Sequence, residues 1–354
     1  MSKVLILSLA VRGGSALYAI GVINHLGIDK HVIASAQSEI GVPDGSILWR
    51  THRNPIEFAV YSLTLLPYYL IIICFGLFRG NYSSLYLPYL HFWSLPFILL
   101  FKCFGRKVVI TLHDGVFHGK HGVPFIQNLT NACVAFSDVL VFLTQFVREA
   151  TVNSLRPHGK TVVIPHGLIV PTDIKSGPRS FKEKPNLLFF GRVLKSKGVE
   201  VLLEALSKLP PQSFSKLAIV GKHYYDLTIP NGFDKQKLEI IDSFVSEDEI
   251  GHYFNNADIL IIPYVEASQS GVISIGISAA IPMIVSSVGG LKEQLSEDES
   301  YFVKPGDCND LTNALFKLCT DKFLYENFVS KLVQKRGALT WESIASEIEN
   351  QALR

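Results

Sequence analysis

Cations, Arg192 and Lys197 among them, follow an apolar run in residues 186–198, NLLFFGRVLKSKG, and a polar, glycine-bearing stretch, EASQSG, occupies residues 266–271 beyond a second apolar run. Leu187 to Phe190 is short and apolar and is closed by Gly191, the pattern of a buried strand whose backbone turns at its carboxyl end. Arg192 and Lys197 then place positive charge at that end. Ligands of open α/β sheets sit beyond the carboxyl ends of strands, so these cations suit an anion such as a nucleoside diphosphate. Taken alone, Gly191-Arg192 and Lys197-Gly198 read equally well as a solvated basic turn. The second stretch, Glu266 through Ser268, Gln269, Ser270 and Gly271, precedes an apolar helical run. Backbone N–H groups at a helix amino terminus bind anions, and Gly271 permits close approach, so a second phosphate-facing element stands beside the first.

Elsewhere the candidates are sparser. His113-Asp114 follows the apolar run Lys107 to Leu112 and is expected at the carboxyl edge of another sheet; Asp114 also reads as a turn or helix cap. His118 and His121 lie in a glycine-rich loop that either holds an acceptor or carries no ligand, and no carboxylate cluster accompanies them, so no metal site is expected. Gly13-Gly14, with Arg12 beside it, follows the first apolar run but lacks the full G-x-G-x-x-G spacing of a dinucleotide site.

These residues need strands and helices to position them. Strand-length runs are expected at Lys3 to Leu9, His31 to Ser35, Ser84 to Leu87, Lys107 to Leu112, Val139 to Leu143 and Thr161 to Ile164. A second series comprises Leu187 to Phe190, Lys216 to Val220, Ile240 to Phe244, Ile259 to Pro263, Met283 to Ser286 and Tyr301 to Val303. Helical patterns alternate with them, which predicts α/β architecture with two parallel sheets. The Pro-, Gly- and charge-rich segment between the series reads as an exposed linker. The expected organisation is therefore a Rossmann-like domain at 1–170, a linker at 171–185, a second Rossmann-like domain at 186–336 and a helical tail at 337–354.

Composition narrows the class. The chain has 354 residues, 48% of them hydrophobic and 18% charged, and a formal net charge of +2. That balance is too even for a protein whose chief partner is a long polyanion, so no nucleic-acid role is expected. A mean hydropathy of +0.28 is high for a soluble enzyme. Residues 58–78 carry no charge and reach transmembrane length, but a span there would divide one parallel sheet between two sides of a bilayer. Residues 91–107, with Trp93, several phenylalanines and a basic end, have the make-up of a segment lying in a membrane interface. Five widely spaced cysteines with no C-x-x-C pair read as reduced thiols, and the amino terminus reads as a first strand, not a signal peptide. The expected location is cytoplasmic, peripheral on the cytoplasmic face of a membrane.

Taken in order, Gly-Arg, four residues, Lys-Gly; a strand closed by Pro263; the loop from Glu266; Pro282; and Val288-Gly289-Gly290 resemble the GT-B glycosyltransferases. The likeness is to retaining family 4, nucleotide-sugar-dependent enzymes, within a subgroup carrying a Ser/Thr-Gln-Ser-Gly loop, and it covers most of the chain. It implies two domains facing a central cleft, with Arg192 and Lys197 on the donor diphosphate and the loop from Glu266 to Gly271, including Ser268, Gln269 and Ser270, on the donor sugar and phosphates. It further implies Phe244-Val245 beside the nucleobase, His113 at the donor sugar or reacting centre, and Gly13 and Gly14 by the acceptor and donor phosphates. Glu293, after Val288-Gly289-Gly290, is a minor donor contact. Pro165-His166-Gly167 would close the first domain, with Trp341 on a helix returning to it. One position departs from the family: its second glutamate, counted back from Pro282, falls on Ile275, and the first falls on Ala267, one place beyond Glu266.

The resemblance implies transfer of a sugar from a nucleoside diphosphate sugar to an acceptor hydroxyl, with retention and without a metal or other cofactor. The greasy helices add a membrane surface and a lipid-linked or membrane-associated glycan acceptor in surface polysaccharide synthesis. The Ile275 departure keeps a catalytically inactive GT-B chain, acting as a binding or activating subunit, as the competing reading. An epimerase would want paired carboxylates near the sugar, and an oxidoreductase the complete glycine signature.

Overall fold

A computed structural model describes residues 2–354 except Arg12, 115–123, Ser176 and Pro178. Arg12, His118 and His121 therefore lie outside the described residues. The chain divides into two compact units, Met1–Gly167 with Trp341–Arg354, and Leu168–Thr340.

The first unit runs β1 (Lys3–Ser8), α1 (Gly14–His25), β2 (Lys30–Ser35), β3 (Ile47–Trp49), α2 (Pro55–Phe78), β4 (Tyr82–Leu87), α3 (Ser94–Cys103), β5 (Lys107–Leu112), α4 (Pro124–Ala135), β6 (Val139–Phe142), α5 (Gln145–Leu155) and β7 (Lys160–Val163). The second comprises β8 (Asn186–Phe190), α6 (Val199–Ser207), β9 (Lys216–Val220), β10 (Leu238–Ile241), α7 (Glu247–Asn256), β11 (Ile259–Ile262), α8 (Gly271–Ser278), β12 (Met283–Ser286), α9 (Leu291–Gln294), β13 (Tyr301–Val303), α10 (Cys308–Thr320) and α11 (Lys322–Ala338). Helix α12 (Trp341–Ile348) belongs to the first unit again. The sheet orders are β3-β2-β1-β4-β5-β6-β7 and β10-β9-β8-β11-β12-β13, and the named strands pair in parallel. Both faces of such sheets are covered by helices, which is why β6, β11 and β12 are continuous buried apolar runs.

Two strands depart from the sequence reading. β10 ends at Ile241, not Phe244, because the Asp242 carboxylate turns to accept the His223 N–H at 2.8 Å and the Lys222 ammonium at 3.0 Å. β3 was not expected. It is three residues long at the sheet edge, with Ile47 and Leu48 exposed, too short to show an alternating pattern. Between the two series, the Arg179 guanidinium donates to the carbonyls of Ala279, Ala257 and Phe254, tying the connecting segment to the ends of α7 and α8.

In the first unit α2, α3, α4 and α5 cover one face of the sheet, and α1 with α12 covers the other. Helix α2 starts cleanly: Pro55 occupies its first turn, and the Asn54 side chain accepts the Glu57 N–H at 2.8 Å. Its inner side is fixed by Tyr69, which stacks on Trp49 with ring centroids 4.0 Å apart, and by Ile73 and Leu77. It is long and apolar enough to cross a membrane, yet β3 before it and β4 after it belong to one parallel sheet. The two ends of α2 thus connect to an edge strand and the central strand of a single folded sheet, which a bilayer cannot divide.

The exposed apolar surface is distributed differently from the sequence expectation. Trp93, Phe97 and Phe101 of the segment expected in a membrane interface are buried, leaving Phe92 and Leu99 outside. Helix α2 instead exposes Ile56, Val60, Leu63, Ile71, Phe75 and Phe78, with Leu63 at 81% and Phe78 at 74%. The spacing of four, three, eight, four and three residues is that of one helical stripe along its whole length.

Candidate functional site

Chain order reverses between β8 and β11 in the second sheet, so the loops leaving their carboxyl ends flank the topological switch point. The first loop turns at Gly191, whose φ of 121° favours glycine and whose N–H donates to Val220 at 2.9 Å. Arg192 leaves this turn exposed, and Lys195–Lys197 forms a single 3₁₀ turn. Gly198 then starts α6 with φ 66°, its α-carbon packed against the Pro263 carbonyl so that any side chain would collide.

The second loop is sewn to the first. Ser196 O accepts the N–H groups of Val265 and Glu266 at 2.8 and 3.2 Å. The Lys197 ammonium lies 3.6 Å from the centre of the buried Tyr264 ring. Lys195 is turned aside by a 2.6 Å ion pair with Glu200 and sits over Tyr225. The Tyr264 hydroxyl faces the Ser270 side chain; burial lifts the phenol above its usual pKa, against the pull of the Ser270 hydroxyl and of the Arg192 charge.

Ser270 is the buried N-cap of α8, extended at φ −141° and ψ 117°, and no side chain caps the helix. Its hydroxyl makes no cap bond, so the N–H groups of the first turn, starting at Gly271, point out of the helix end carrying the positive pole of its dipole. A Cβ at Gly271 would meet only ordinary contact, 3.4 Å from Ile169. Glu266 is exposed, and Ser268 and Gln269 are half-buried. Glu293 is exposed on α9, and Val245 is half-buried next to the exposed Phe244 after β10. Gly191, Arg192, Lys197, Val245, Glu266, Ser268, Gln269, Ser270, Gly271 and Glu293 thus all follow the carboxyl ends of strands of one sheet, on loops or in the first turns after them. Ile275 is different: it is 4% exposed in α8, part of the second unit's core.

His113, Gly13 and Gly14 lie at the carboxyl edge of the first unit's sheet, after β5 and β1. Gly13 has φ 86° and precedes α1 without a side-chain cap, and a Cβ at Gly13 or Gly14 would meet nothing within 4 Å. The His113 Nε2 lies 3.1 Å from the Pro88 carbonyl, which can only accept, so Nε2 carries the proton and donates. The ring meets Tyr18 edge-on at 4.9 Å, and burial depresses its pKa, which keeps the imidazole neutral with Nδ1 as an acceptor. Asp114 next to it is exposed. Behind them His166, Tyr18 and Trp341 form an aromatic cluster, with Trp341 packed against Gly21 and Gly167.

Residues 184–321 match the family described as glycosyl transferases group 1. The chain is 27% identical over 174 residues to the uncharacterized glycosyltransferase MJ1607 of Methanocaldococcus jannaschii, which covers 46% of this chain and 43% of that protein. It is 21% identical over 173 residues to the sulfoquinovosyl transferase SQD2 of Arabidopsis thaliana, covering 48% and 33%. The chain thus spans less than half the length of either relative. Among solved structures, Anabaena Alr3699/HepE in complex with UDP-glucose superposes with a TM-score of 0.73 at 16% identity, over 99% of both chains. The sucrose-phosphate synthase of Thermosynechococcus elongatus gives 0.73 at 17% identity, over 99% of this chain and 98% of that one.

The fold is GT-B. Within it the charged and glycine positions had local sequence signals, but Tyr264 and Gln294 did not. Tyr264 was visible only as the residue after a strand-closing proline. Gln294, whose amide meets the Ser270 backbone, lies in no motif, and only the folded GT-B chain brings it to the site.

Proposed function

We propose that the chain is a glycosyltransferase that moves a sugar from a nucleoside diphosphate sugar to an acceptor hydroxyl. The observation that carries this reading is the meeting of Arg192, Lys197 and the uncapped start of α8 at one switch point. The leaving diphosphate gains negative charge as the glycosidic bond breaks, and fixed positive groups lower that barrier because they need no reorganisation. Arg192 and Lys197 supply full charges and the α8 backbone supplies oriented N–H groups, a set that neutralises the diphosphate without a divalent cation. Glu266, Ser268, Gln269 and Glu293 read the sugar, and Val245 borders the base. Neutral His113, with its proton held at Nε2 and Nδ1 left as an acceptor, is assigned to the donor sugar or the reacting centre on the family resemblance alone.

In a retaining front-face reaction the departing phosphate accepts the acceptor's proton, so no separate general base is required. The family 4 resemblance, with its Ser-Gln-Ser-Gly loop, is the support for retention. UDP and UDP-glucose are bound by the Anabaena neighbour, which makes uridine donors the first to try.

The acceptor is a lipid-linked or membrane-associated glycan of surface polysaccharide synthesis, met at the cytoplasmic face of a membrane. Support comes from the apolar stripe of α2, with Arg50 and Arg53 before the helix and Arg79 after it, all exposed. A helix of this make-up lies in the plane of an interface with its cations among anionic headgroups.

Turnover tests the reading. UDP-, GDP- and ADP-sugars are screened for hydrolysis and transfer with the wild-type chain, Arg192→Ala and Lys197→Ala. Turnover of one donor, reduced about a hundredfold by either substitution, is expected; a wild-type chain that turns over no donor with any lipid-linked acceptor overturns it.

A further inference from the structure

Both hydrogen bonds of the Gln294 side chain end on one backbone residue. The Ser270 N–H donates to Oε1 at 2.8 Å, and Nε2 donates to the Ser270 carbonyl at 3.0 Å. This is the two-bond exchange that one residue makes with another in an antiparallel sheet, made here by a side chain from α9, the short helix after β12. It fixes the peptide planes on both sides of Ser270 and holds that residue extended.

The consequence falls on α8. An N-cap residue ordinarily uses its own side chain to satisfy the first-turn N–H groups. At Ser270 the hydroxyl makes no cap bond and the backbone goes to Gln294, so neither covers the helix end. The peptide joining Ser270 to Gly271 carries the Gly271 N–H on one side and the carbonyl gripped by Gln294 on the other. Rotation of that peptide would swing the N–H away from the switch point. We infer that Gln294 is a positioning residue, whose amide orients the Ser270–Gly271 peptide so that the start of α8 meets the donor diphosphate.

The inference rests on the glycosyltransferase reading. Because Gln294 follows Glu293 directly, it also links the residue assigned to the sugar with the element assigned to the phosphates.

Three variants test it. Gln294→Leu removes both bonds; Gln294→Glu keeps an acceptor for the Ser270 N–H but turns a carboxylate against the Ser270 carbonyl; Gln294→Asn retains the amide on a shorter stem. UDP, GDP and ADP, with their parent nucleosides, are titrated calorimetrically into each folded variant between pH 5 and pH 8. The wild-type chain binds one of the diphosphates, and Gln294→Leu weakens that binding about tenfold, the worth of one to two hydrogen bonds, while affinity for the nucleoside is kept. Gln294→Glu loses affinity at pH 8 and regains it relative to wild type as the pH falls and its carboxyl becomes a donor. Gln294→Leu shows no such recovery. A pH-independent ratio for Gln294→Glu together with wild-type affinity in Gln294→Leu overturns the positioning role while leaving the donor site standing. A wild-type chain that binds none of the three diphosphates removes the donor site itself and the inference with it.

Discussion

The Lys197 ammonium rests over the Tyr264 ring at 3.6 Å, so a cation on the loop after β8 is seated on an aromatic from the loop after β11. The phenol of the same ring faces Ser270, the N-cap of α8. One side chain therefore sets the position of two phosphate-facing groups, from its face and from its edge.

The two functions of Tyr264 separate by substitution. Tyr264→Phe keeps the ring under Lys197 and removes only the hydroxyl that faces Ser270, a loss of no more than about 1 kcal/mol in stability. Tyr264→Leu also removes the cation–π contact, worth about 0.5–2 kcal/mol, and should weaken nucleoside diphosphate binding about five- to tenfold beyond Tyr264→Phe. Calorimetric affinities of the two variants check this, and equal affinities would show that the ring face does not hold Lys197.

The carboxyl end of α8 contains a strained residue that chemistry does not require. Ala280 has φ 45°, donates its N–H to Ile277 at 3.0 Å and is followed by Ile281 N–H to Gly276 at 3.1 Å. That pair of bonds is a Schellman ending, in which the left-handed residue is usually glycine. A left-handed alanine costs roughly 1–2 kcal/mol, part of which glycine returns as extra freedom in the unfolded chain. Ala280→Gly should therefore stabilise the chain by about 0.5–1 kcal/mol, read as a higher urea midpoint with unchanged slope. A lower midpoint would mean that the methyl group's burial outweighs the backbone strain.

The apolar stripe of α2 predicts a location for membrane contact. Leu63→Asp with Phe75→Asp alters exposed positions only, so folding should survive while flotation with vesicles containing anionic phospholipid is lost. The sequence would have directed the same test at Phe97, which is fully buried and whose replacement would unfold the core. Flotation of the double variant equal to wild type would remove α2 as the contact.

What the sequence disclosed, and what it hid, follows from the range of the forces involved. The strand-closing glycines and the cations after them are local signals: Gly191 and Gly198 need positive φ, and Arg192 and Lys197 follow at fixed spacing. The alternation of buried runs with helices was equally legible, since parallel strands covered on both faces are apolar throughout. Burial of a particular apolar helix is not local. Both α2 and α3 are greasy, and only the packing of Trp93, Phe97 and Phe101 onto the sheet decides which of them faces out. Ile275 shows the same limit. It reads as a missing carboxylate in a motif, whereas its side chain lies in the core among its α8 neighbours, where a charge would need a partner.

The last prediction concerns acid stability and depends on His166. Its ring is buried against Tyr18 and Trp341, and its Nδ1 pairs with the Gly167 carbonyl. Nε2 is buried and finds no hydrogen-bond partner among the described residues. Protonation would place an unpaired N–H and a full charge there; burial, aided by repulsion from His113, lowers the pKa to about 4 despite the carbonyl bond. Above about pH 6.5 the ring is neutral in both folded and unfolded chains, and its contribution to stability is constant. Between pH 6.5 and about 4 the unfolded chain takes up the proton and the folded one does not, so stability falls with pH by up to about 3 kcal/mol. His166→Leu cannot take up that proton in either state. Urea midpoints measured from pH 7.5 down to pH 4.5 should fall less steeply for His166→Leu than for wild type, by up to one proton's worth of slope. Other lowered histidines, His91 and His113 among them, keep a residual slope in both chains. Identical slopes would show that His166 is protonated in the folded unit without penalty, and that its Nε2 meets a group able to accept the proton.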